Sequence, residues 1–219
     1  AFRLLTHQFA GRRPGGFVMT YSTLAAIVKY PFASSLAGKH GKFGFFCSEA
    51  STFEQIADEL GLIRLSAPSE PLRYVRHPLV YLMEAADDIC YEIMDIEDSH
   101  KLKILSFDET KNLLLSFFEN DTQEEIIRRL KEEGVTDENE QVVYLRACVV
   151  GKLENECVQT FVDHEDEILN GTFKGTLIGN ISEPQRLAYK HCSEVSFKRI
   201  YRSKPVLDIE LSGYKIMET

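Results

Sequence analysis

Apolar residues recur every three or four positions along most of this chain, which is the spacing of amphipathic helices. The longest uninterrupted example is 78–98, which begins with Pro78 and contains no other proline or glycine. At about 100° per residue its apolar side chains fall on one broad arc. These side chains are Leu79, Leu82, Met83, Ala86, Ile89, Cys90, Ile93 and Met94. The pattern predicts one long helix.

The polar residues of this helix are predicted to lie on two different flanks. Asp87, Tyr91 and Asp95 are four residues apart and form a stripe at the edge of the apolar arc. The far side carries three further carboxylates: Glu84, Asp88 and Glu92. A carboxylate at a core boundary needs a cation, a metal or hydrogen bonds to compensate lost hydration. We therefore expect Asp87 to have such a partner and the other three carboxylates to be solvated. The alternative is an ordinary amphipathic helix whose whole acidic face is solvated.

Other segments with helical periodicity or helix-start signals cover most of the remaining chain. They are 1–9, 21–29, 51–60, 107–118, 122–133, 137–170 and 184–201. Three capping boxes are predicted: Ser51 with Glu54, Ser106 with Glu109, and Asp121 with Glu124. The stretch 205–211 alternates as a strand would, and its pattern also permits a helix. The chain is therefore predicted to be almost entirely helical.

Composition restricts the class of protein. The 219 residues are 44% hydrophobic and 27% charged, with no apolar run of membrane-spanning length and no signal-peptide pattern. The five cysteines are odd in number and form no CxxC pair, which indicates buried thiols in a reducing compartment such as the cytoplasm. The net charge of −9 disfavours general nucleic-acid binding but permits local basic patches such as 39–42 and 198–204. Nucleophile-elbow, phosphate-loop and dinucleotide signatures are absent.

The segment RHPLVYLMEAADDICYEIMD, residues 76–95, resembles the HD-domain deoxynucleoside triphosphate triphosphohydrolases, the dGTPase family. In that family this segment supplies the last metal-binding aspartate and two substrate contacts. The resemblance implies that Asp87 binds a divalent metal such as Mg²⁺ or Mn²⁺. It also implies that Tyr91 and Asp95 hold the phosphate and sugar of the substrate. His77 is expected to orient the start of the helix.

Two further segments resemble the same family. The runs LAAIVKYP, residues 24–31, and KFGFF, residues 42–46, match segments that grip the triphosphate, which implies phosphate contacts for Lys29, Tyr30 and Lys42. Lysines neutralise phosphate charge well. The alternatives are that Lys29 stabilises a helix C-terminus and that Lys42 faces solvent from a loop. The run KRIYR, residues 198–202, resembles a region that packs a tyrosine and an arginine on the nucleotide, here Tyr201 and Arg202.

The resemblance implies an all-α, multi-helix, HD-domain-like hydrolase fold, of which this chain would be an incomplete portion. We expect active-site helices in 1–105, a helical subdomain in 106–183 and return helices in 184–219, with 205–211 helical. The family's metal centre also needs a distant histidine and a His-Asp dipeptide, and this sequence contains no such dipeptide. We therefore expect those ligands to lie N-terminal to Ala1, and this chain alone to be inactive.

The function implied by the resemblance is metal-dependent hydrolysis of dGTP, or of another dNTP, to the deoxynucleoside and inorganic triphosphate. The alternative is a catalytically silent helical module that binds a nucleotide or single-stranded DNA. The implied partners are a dNTP and other copies of the chain in a homo-oligomer, with single-stranded DNA as a further candidate.

Overall fold

The computed structural model describes residues 1–218, which form eleven α-helices and no β-strand. The N-terminal helices are α1 (Phe2–Thr6), α2 (Tyr21–Ala26), α3 (Ala50–Glu59) and α4 (Pro78–Lys101). The middle helices are α5 (Phe107–Leu115), α6 (Asn120–Glu132), α7 (Glu138–Asp163) and α8 (Glu165–Leu169). The last are α9 (Leu177–Asn180), α10 (Glu183–Val195) and α11 (Lys204–Met217), with a π-helical turn at Ser196–Ile200. The all-α prediction is confirmed, and 205–211 is helical.

The chain divides into two compact units. Unit 1 contains Ala1–Ala85 and Thr160–Leu177. Unit 2 contains Ala86–Gln159 and the described residues from Ile178 onward. Helix α4 therefore contributes its first eight residues to unit 1 and the rest to unit 2. The division into 1–105, 106–183 and 184–219 stays a prediction.

Unit 1 is built on an aromatic core. The ring of Phe53, on α3, stacks on Phe45 with centroids 4.4 Å apart, and the ring of Phe2 meets it edge-on at 5.6 Å. Short backbone bridges hold the segments between α2 and α4, pairing Phe32 with Arg73 and Ala33 with Phe45. The large rings bury much apolar area in a region with little regular structure, which offsets the entropy of ordering its loops.

Unit 2 is a helical assembly with aliphatic side chains in its core. Helix α7 buries Val142, Leu145, Val149 and Leu153, which recur at helical spacing. Helix α10 packs against α5. No helix within residues 1–218 combines the length and apolar character that crossing a bilayer requires.

One of the three predicted capping boxes is present as predicted. The Ser106 hydroxyl accepts from the Glu109 N–H, and the Glu109 carboxylate accepts from the Ser106 N–H, at the start of α5. The other two were wrong, because α3 begins at Ala50 and α6 begins at Asn120. Ser51 and Asp121 therefore lie inside the first helical turns, where they cannot act as N-caps.

The buried face of α4 differs from the predicted one. Glu84 and Glu92 are only 3% and 7% exposed, although the pattern placed them in solvent. Asp87 is exposed and Asp88 is half-buried, which reverses the predicted contrast between them. Four members of the predicted apolar arc are exposed: Leu79, Ala86, Cys90 and Met94. The helical wheel failed here because it treats every glutamate as solvated, whereas both buried glutamates have partners from distant segments.

Candidate functional site

Three of the candidate residues lie on the part of α4 that belongs to unit 2. Asp87 and Tyr91 are exposed there, and Asp95 is half-buried. The Tyr201 hydroxyl donates a hydrogen bond of 2.5 Å to Asp95 Oδ2 across a sequence separation of 106 residues. Burial, together with this bond to a carboxylate, raises the pKa of Tyr201, so the phenol stays protonated and keeps donating.

Arg202 follows Tyr201 and makes a different contact. Its guanidinium carbon lies 4.3 Å from the centroid of the Phe197 ring, a cation–π geometry. Both side chains are exposed. The structure thus brings Tyr201 to Asp95 and holds Arg202 against the π-helical turn.

The pattern missed a hydrogen-bonded cluster around Glu92. The hydroxyls of Ser193 and Ser196 each donate to the Glu92 carboxylate at 2.7 Å. The Tyr189 hydroxyl donates to the backbone carbonyl of Asp88 at 2.9 Å, and burial raises the pKa of this tyrosine. These bonds join α10 and the π-helical turn to α4. The available signal was the alignment of Tyr189, Ser193 and Ser196 on one helical face.

In unit 1, Lys29 is part of an ionic cluster around Glu84. Lys29 Nζ lies 3.0 Å from Glu84 Oε1, and Arg76 Nη1 donates to Glu84 Oε2 at 3.0 Å. Arg76 Nε also donates to the backbone carbonyl of Lys29 at 3.0 Å. Helix α2 ends at Ala26, so Lys29 lies beyond the helix whose C-terminus it was alternatively expected to stabilise.

A cavity of about 230 Å³ lies beside this ionic cluster, within unit 1. Three cations, Lys29, Arg73 and Arg76, line it together with the aromatic side chains of Tyr30 and Tyr81. This lining suits an anion. Lys29 and Tyr30, which the sequence paired as phosphate contacts, therefore share one cavity.

Lys42 lies elsewhere in unit 1. Its side chain is exposed, and it is not among the residues that line this cavity. The segment that follows it passes close to Tyr30, because a Cβ on Gly44 would come within 2.3 Å of the Tyr30 carbonyl oxygen. Only glycine permits that approach.

His77 acts at the start of α4. Its Nδ1 accepts a hydrogen bond of 3.2 Å from the Leu79 N–H, which requires the neutral ring with its proton on Nε2. Burial lowers the pKa of His77 and favours this neutral form. The expectation that His77 orients the helix start is confirmed.

The arrangement around Asp87 does not fit a complete metal site. In the part of the chain that the structure describes, no group of three or more His, Cys, Asp or Glu side chains could hold a metal ion. A single carboxylate is not enough to hold and activate a divalent ion. Asp87 could supply one carboxylate at most.

Known proteins match this chain over nearly its whole length. A deoxyguanosinetriphosphate triphosphohydrolase-like protein of Pseudomonas aeruginosa (strain LESB58) is 34% identical over 226 residues, covering 99% of this chain. A protein of the same description from Synechocystis sp. is 33% identical, also over 99% of the chain. A deoxyguanosinetriphosphate triphosphohydrolase of Serratia proteamaculans is 26% identical over 91% of it. No family model matches.

The chain spans about half the length of these relatives, 48% of the first two and 41% of the third. Identity above 30% over almost all of the chain, together with the all-helical structure, agrees with the resemblance of residues 24–46 and 76–95. The chain belongs to the deoxyguanosinetriphosphate triphosphohydrolase family.

Proposed function

We propose that the protein hydrolyses a deoxynucleoside triphosphate, with dGTP as the first candidate, to the deoxynucleoside and inorganic triphosphate. The names of the relatives support this reaction class. The observation that carries the proposal is the contact between Asp95 and Tyr201. Both were expected to bind substrate, yet they lie in separate segments that nothing in the local sequence pattern joins.

In this proposal Asp95 and Tyr91 position the sugar and the phosphate next to it. The Tyr201 phenol fixes one carboxylate oxygen of Asp95, and the other oxygen remains available to accept from a sugar hydroxyl. Tyr91 is exposed one turn earlier on the same helix, and Arg202 offers a cation beyond Tyr201. These groups bind and orient the nucleotide and do not themselves react.

The reaction exchanges one phosphorus–oxygen bond for another. A water oxygen joins the α-phosphorus, the bond from the α-phosphorus to O5′ breaks, and O5′ leaves as a hydroxyl with a proton from that water. Negative charge accumulates on the triphosphate, where cations lower the energy of the transition state. Lys29, Tyr30 and Lys42 are the proposed phosphate contacts.

Metal dependence is part of the proposal, with Asp87 as one ligand of a divalent ion such as Mg²⁺ or Mn²⁺. The donor groups of residues 1–218 do not complete such a site. The proposed role of Asp87 is therefore tested separately, by Asp87→Ala in the protein as its gene encodes it. We expect that variant to lose the turnover that manganese supports.

The test of the function is product analysis with dGTP, following inorganic triphosphate release by the protein as its gene encodes it. Asp95→Asn should lower kcat/KM by about a hundredfold, because the sugar loses its positioning carboxylate. Asp98→Asn is the matched control, since Asp98 is an exposed aspartate of the same helix that pairs with Lys101. Equal losses in the two variants would contradict the assignment.

The alternative function is nucleotide binding without chemistry. It would be supported if dGTP bound tightly, Asp95→Asn weakened that binding, and no triphosphate appeared with any divalent metal. Release of triphosphate that depends on Asp95 excludes it.

A further inference from the structure

Glu84 is a buried carboxylate to which the proposed reaction gives no role. Its side chain is 4% exposed, and two cations reach it, Lys29 at one oxygen and Arg76 at the other. One such cation is enough to neutralise a carboxylate. The second, Arg76, adds positive charge beside the cavity that both cations line, where it can attract an anion.

Arg76 is held from three sides. Nε donates to the Lys29 carbonyl, Nη1 donates to Glu84, and the guanidinium lies over the Tyr81 ring, with its carbon 5.5 Å from the centroid. These contacts fix the plane of the guanidinium. Hydrogen bonds within residues 1–218 engage Nε and Nη1, so the two N–H groups of Nη2 are available to a ligand.

The cavity beside Arg76 presents a second guanidinium. Arg73 is exposed and lines the same cavity, and its side chain has no hydrogen bond or ion pair among the described residues. Guanidinium groups bind phosphate oxygens through paired N–H donors in a fixed plane. Two guanidinium groups beside a cavity of about 230 Å³ favour a ligand that carries a phosphate group over an apolar ligand.

We propose that Arg76 and Arg73 bind a phosphate group of the substrate in this cavity and that Glu84 is the positioning residue for Arg76. The ligand class is a polyphosphate. This inference rests on the proposed function, because it assigns the cavity to the triphosphate that Lys29 and Tyr30 are expected to contact.

The test is calorimetric titration of inorganic triphosphate into the protein as its gene encodes it. Arg76→Lys keeps the charge but loses the planar pair of donors, and should weaken binding about tenfold. Arg73→Ala should weaken it by a smaller factor. Arg12→Ala is the control for a simple loss of charge, since Arg12 is an exposed arginine of unit 1 outside the cavity.

Glu84→Gln separates positioning from charge. If Glu84 merely opposed the phosphate, removing its negative charge would tighten binding. If it orients Arg76, the variant should bind triphosphate several-fold more weakly despite the gain in positive charge, and Glu84→Asp should bind with intermediate affinity. Unfolding curves for each variant establish that the chain remains folded during the titration.

Three results would overturn the proposal. Unchanged affinity in Arg76→Lys removes Arg76 as a phosphate ligand, and tighter binding in Glu84→Gln removes the positioning role. If Lys29→Ala weakens binding while Arg73→Ala and Arg76→Lys do not, this inference fails and the proposed function stands. Absence of triphosphate binding by the unaltered chain also overturns it, and the hydrolysis assay with Asp95→Asn then decides the proposed function independently.

Discussion

Two buried glutamates on one helix meet the cost of burial in different ways. Glu84, in unit 1, is paired with the cations Lys29 and Arg76. Glu92, in unit 2, accepts from the hydroxyls of Ser193 and Ser196. Hydroxyls satisfy the lone pairs of a carboxylate but leave its charge, whereas cations neutralise the charge as well. The same residue type at similar depth is thus part of an ionic cluster in one unit and of a network of hydroxyl donors in the other.

The charge balance of the two units follows the same division. Unit 1 carries ten Lys or Arg and ten Asp or Glu, whereas unit 2 carries fifteen and twenty-four, so the net charge of −9 belongs to unit 2. The first 48 residues contain six Lys or Arg and no Asp or Glu. Unit 1 is therefore the part of the chain better suited to a polyanionic ligand.

The largest expected effect is a difference in thiol reactivity between the exposed Cys47 of unit 1 and the buried Cys157 and Cys192 of unit 2. In unit 1, hydrogen bonds from Ser34 and Ser35 lower the pKa of the exposed Cys47. In unit 2, burial raises the pKa of Cys157 and Cys192 to about 12, with nearby carboxylates adding to the effect. At pH 8 a thiol reagent should therefore modify Cys47 at least about a thousandfold faster than either buried cysteine.

Peptide mapping after timed labelling measures these rates residue by residue. Labelling in denaturant is the control, because unfolding should bring the rates of Cys47 and Cys192 close together. Comparable rates in the folded protein would show that unit 2 opens on the labelling timescale, which the buried positions of Cys157 and Cys192 do not predict.

The next largest effect should come from neutralising each buried glutamate. Glu84→Gln removes the negative charge that Lys29 and Arg76 both contact. Because both cations reach solvent in part, the loss should be about 2 kcal/mol rather than the full cost of breaking a buried pair. Glu92→Gln keeps a group that can accept from one serine and donate to the other, and should change stability by less than about 1 kcal/mol.

Urea unfolding of both variants measures the difference. The comparison fails if Glu92→Gln is the more damaging substitution, since that would mean that the charge of Glu92 is itself stabilising. Glu97, further along α4, is paired with Lys101 and Arg146, and Glu97→Gln should behave like Glu84→Gln.

A smaller effect is expected from the serines that hold Glu92. Ser196→Ala and Ser193→Ala each remove one donor to a buried carboxylate and should cost about 1.5 kcal/mol. In a Glu92→Gln background the cost should fall, because the acceptor is no longer charged. Ser212→Ala is the control, since that hydroxyl bonds to the Asp208 carbonyl of its own exposed helix. A double-mutant cycle without coupling would show that the serines do not act through Glu92.

The features that were predicted correctly from the sequence depend on residues that are close together along the chain. Neighbouring residues determine the capping box at Ser106 and the uninterrupted run from Pro78. They also determine the end of α6 just before Gly134, whose φ is 68°. The choice between strand and helix at 205–211 needed the family resemblance, because the local pattern fits both.

The parts that local pattern could not predict depend on distant partners. Glu84 was assigned to solvent because its cations come from outside its own helix. The resemblance named Asp95 and Tyr201 separately, and only the fold puts the phenol within 2.5 Å of the carboxylate. Arg73 and Arg76 were not candidates, because the sequence pattern does not indicate which arginines line a cavity.

The smallest expected effect is the acid dependence of an exposed pair in unit 2. Arg199 donates to Glu109, and this bond, with those from Ser106, lowers the pKa of Glu109 from 4.5 to about 2. A lowered folded-state pKa means that the stabilisation is complete above pH 4.5 and is lost as the pH falls toward 2. Glu109→Gln keeps an acceptor for the capping box but removes the charge. Its melting temperature should therefore lie slightly below that of the unaltered chain at pH 6, and the two should converge near pH 2. Because the carboxylate is exposed, 1 M salt should shrink the gap at pH 6. A gap that persists at pH 2 would assign the effect to the capping hydrogen bonds, not to the charge of Glu109.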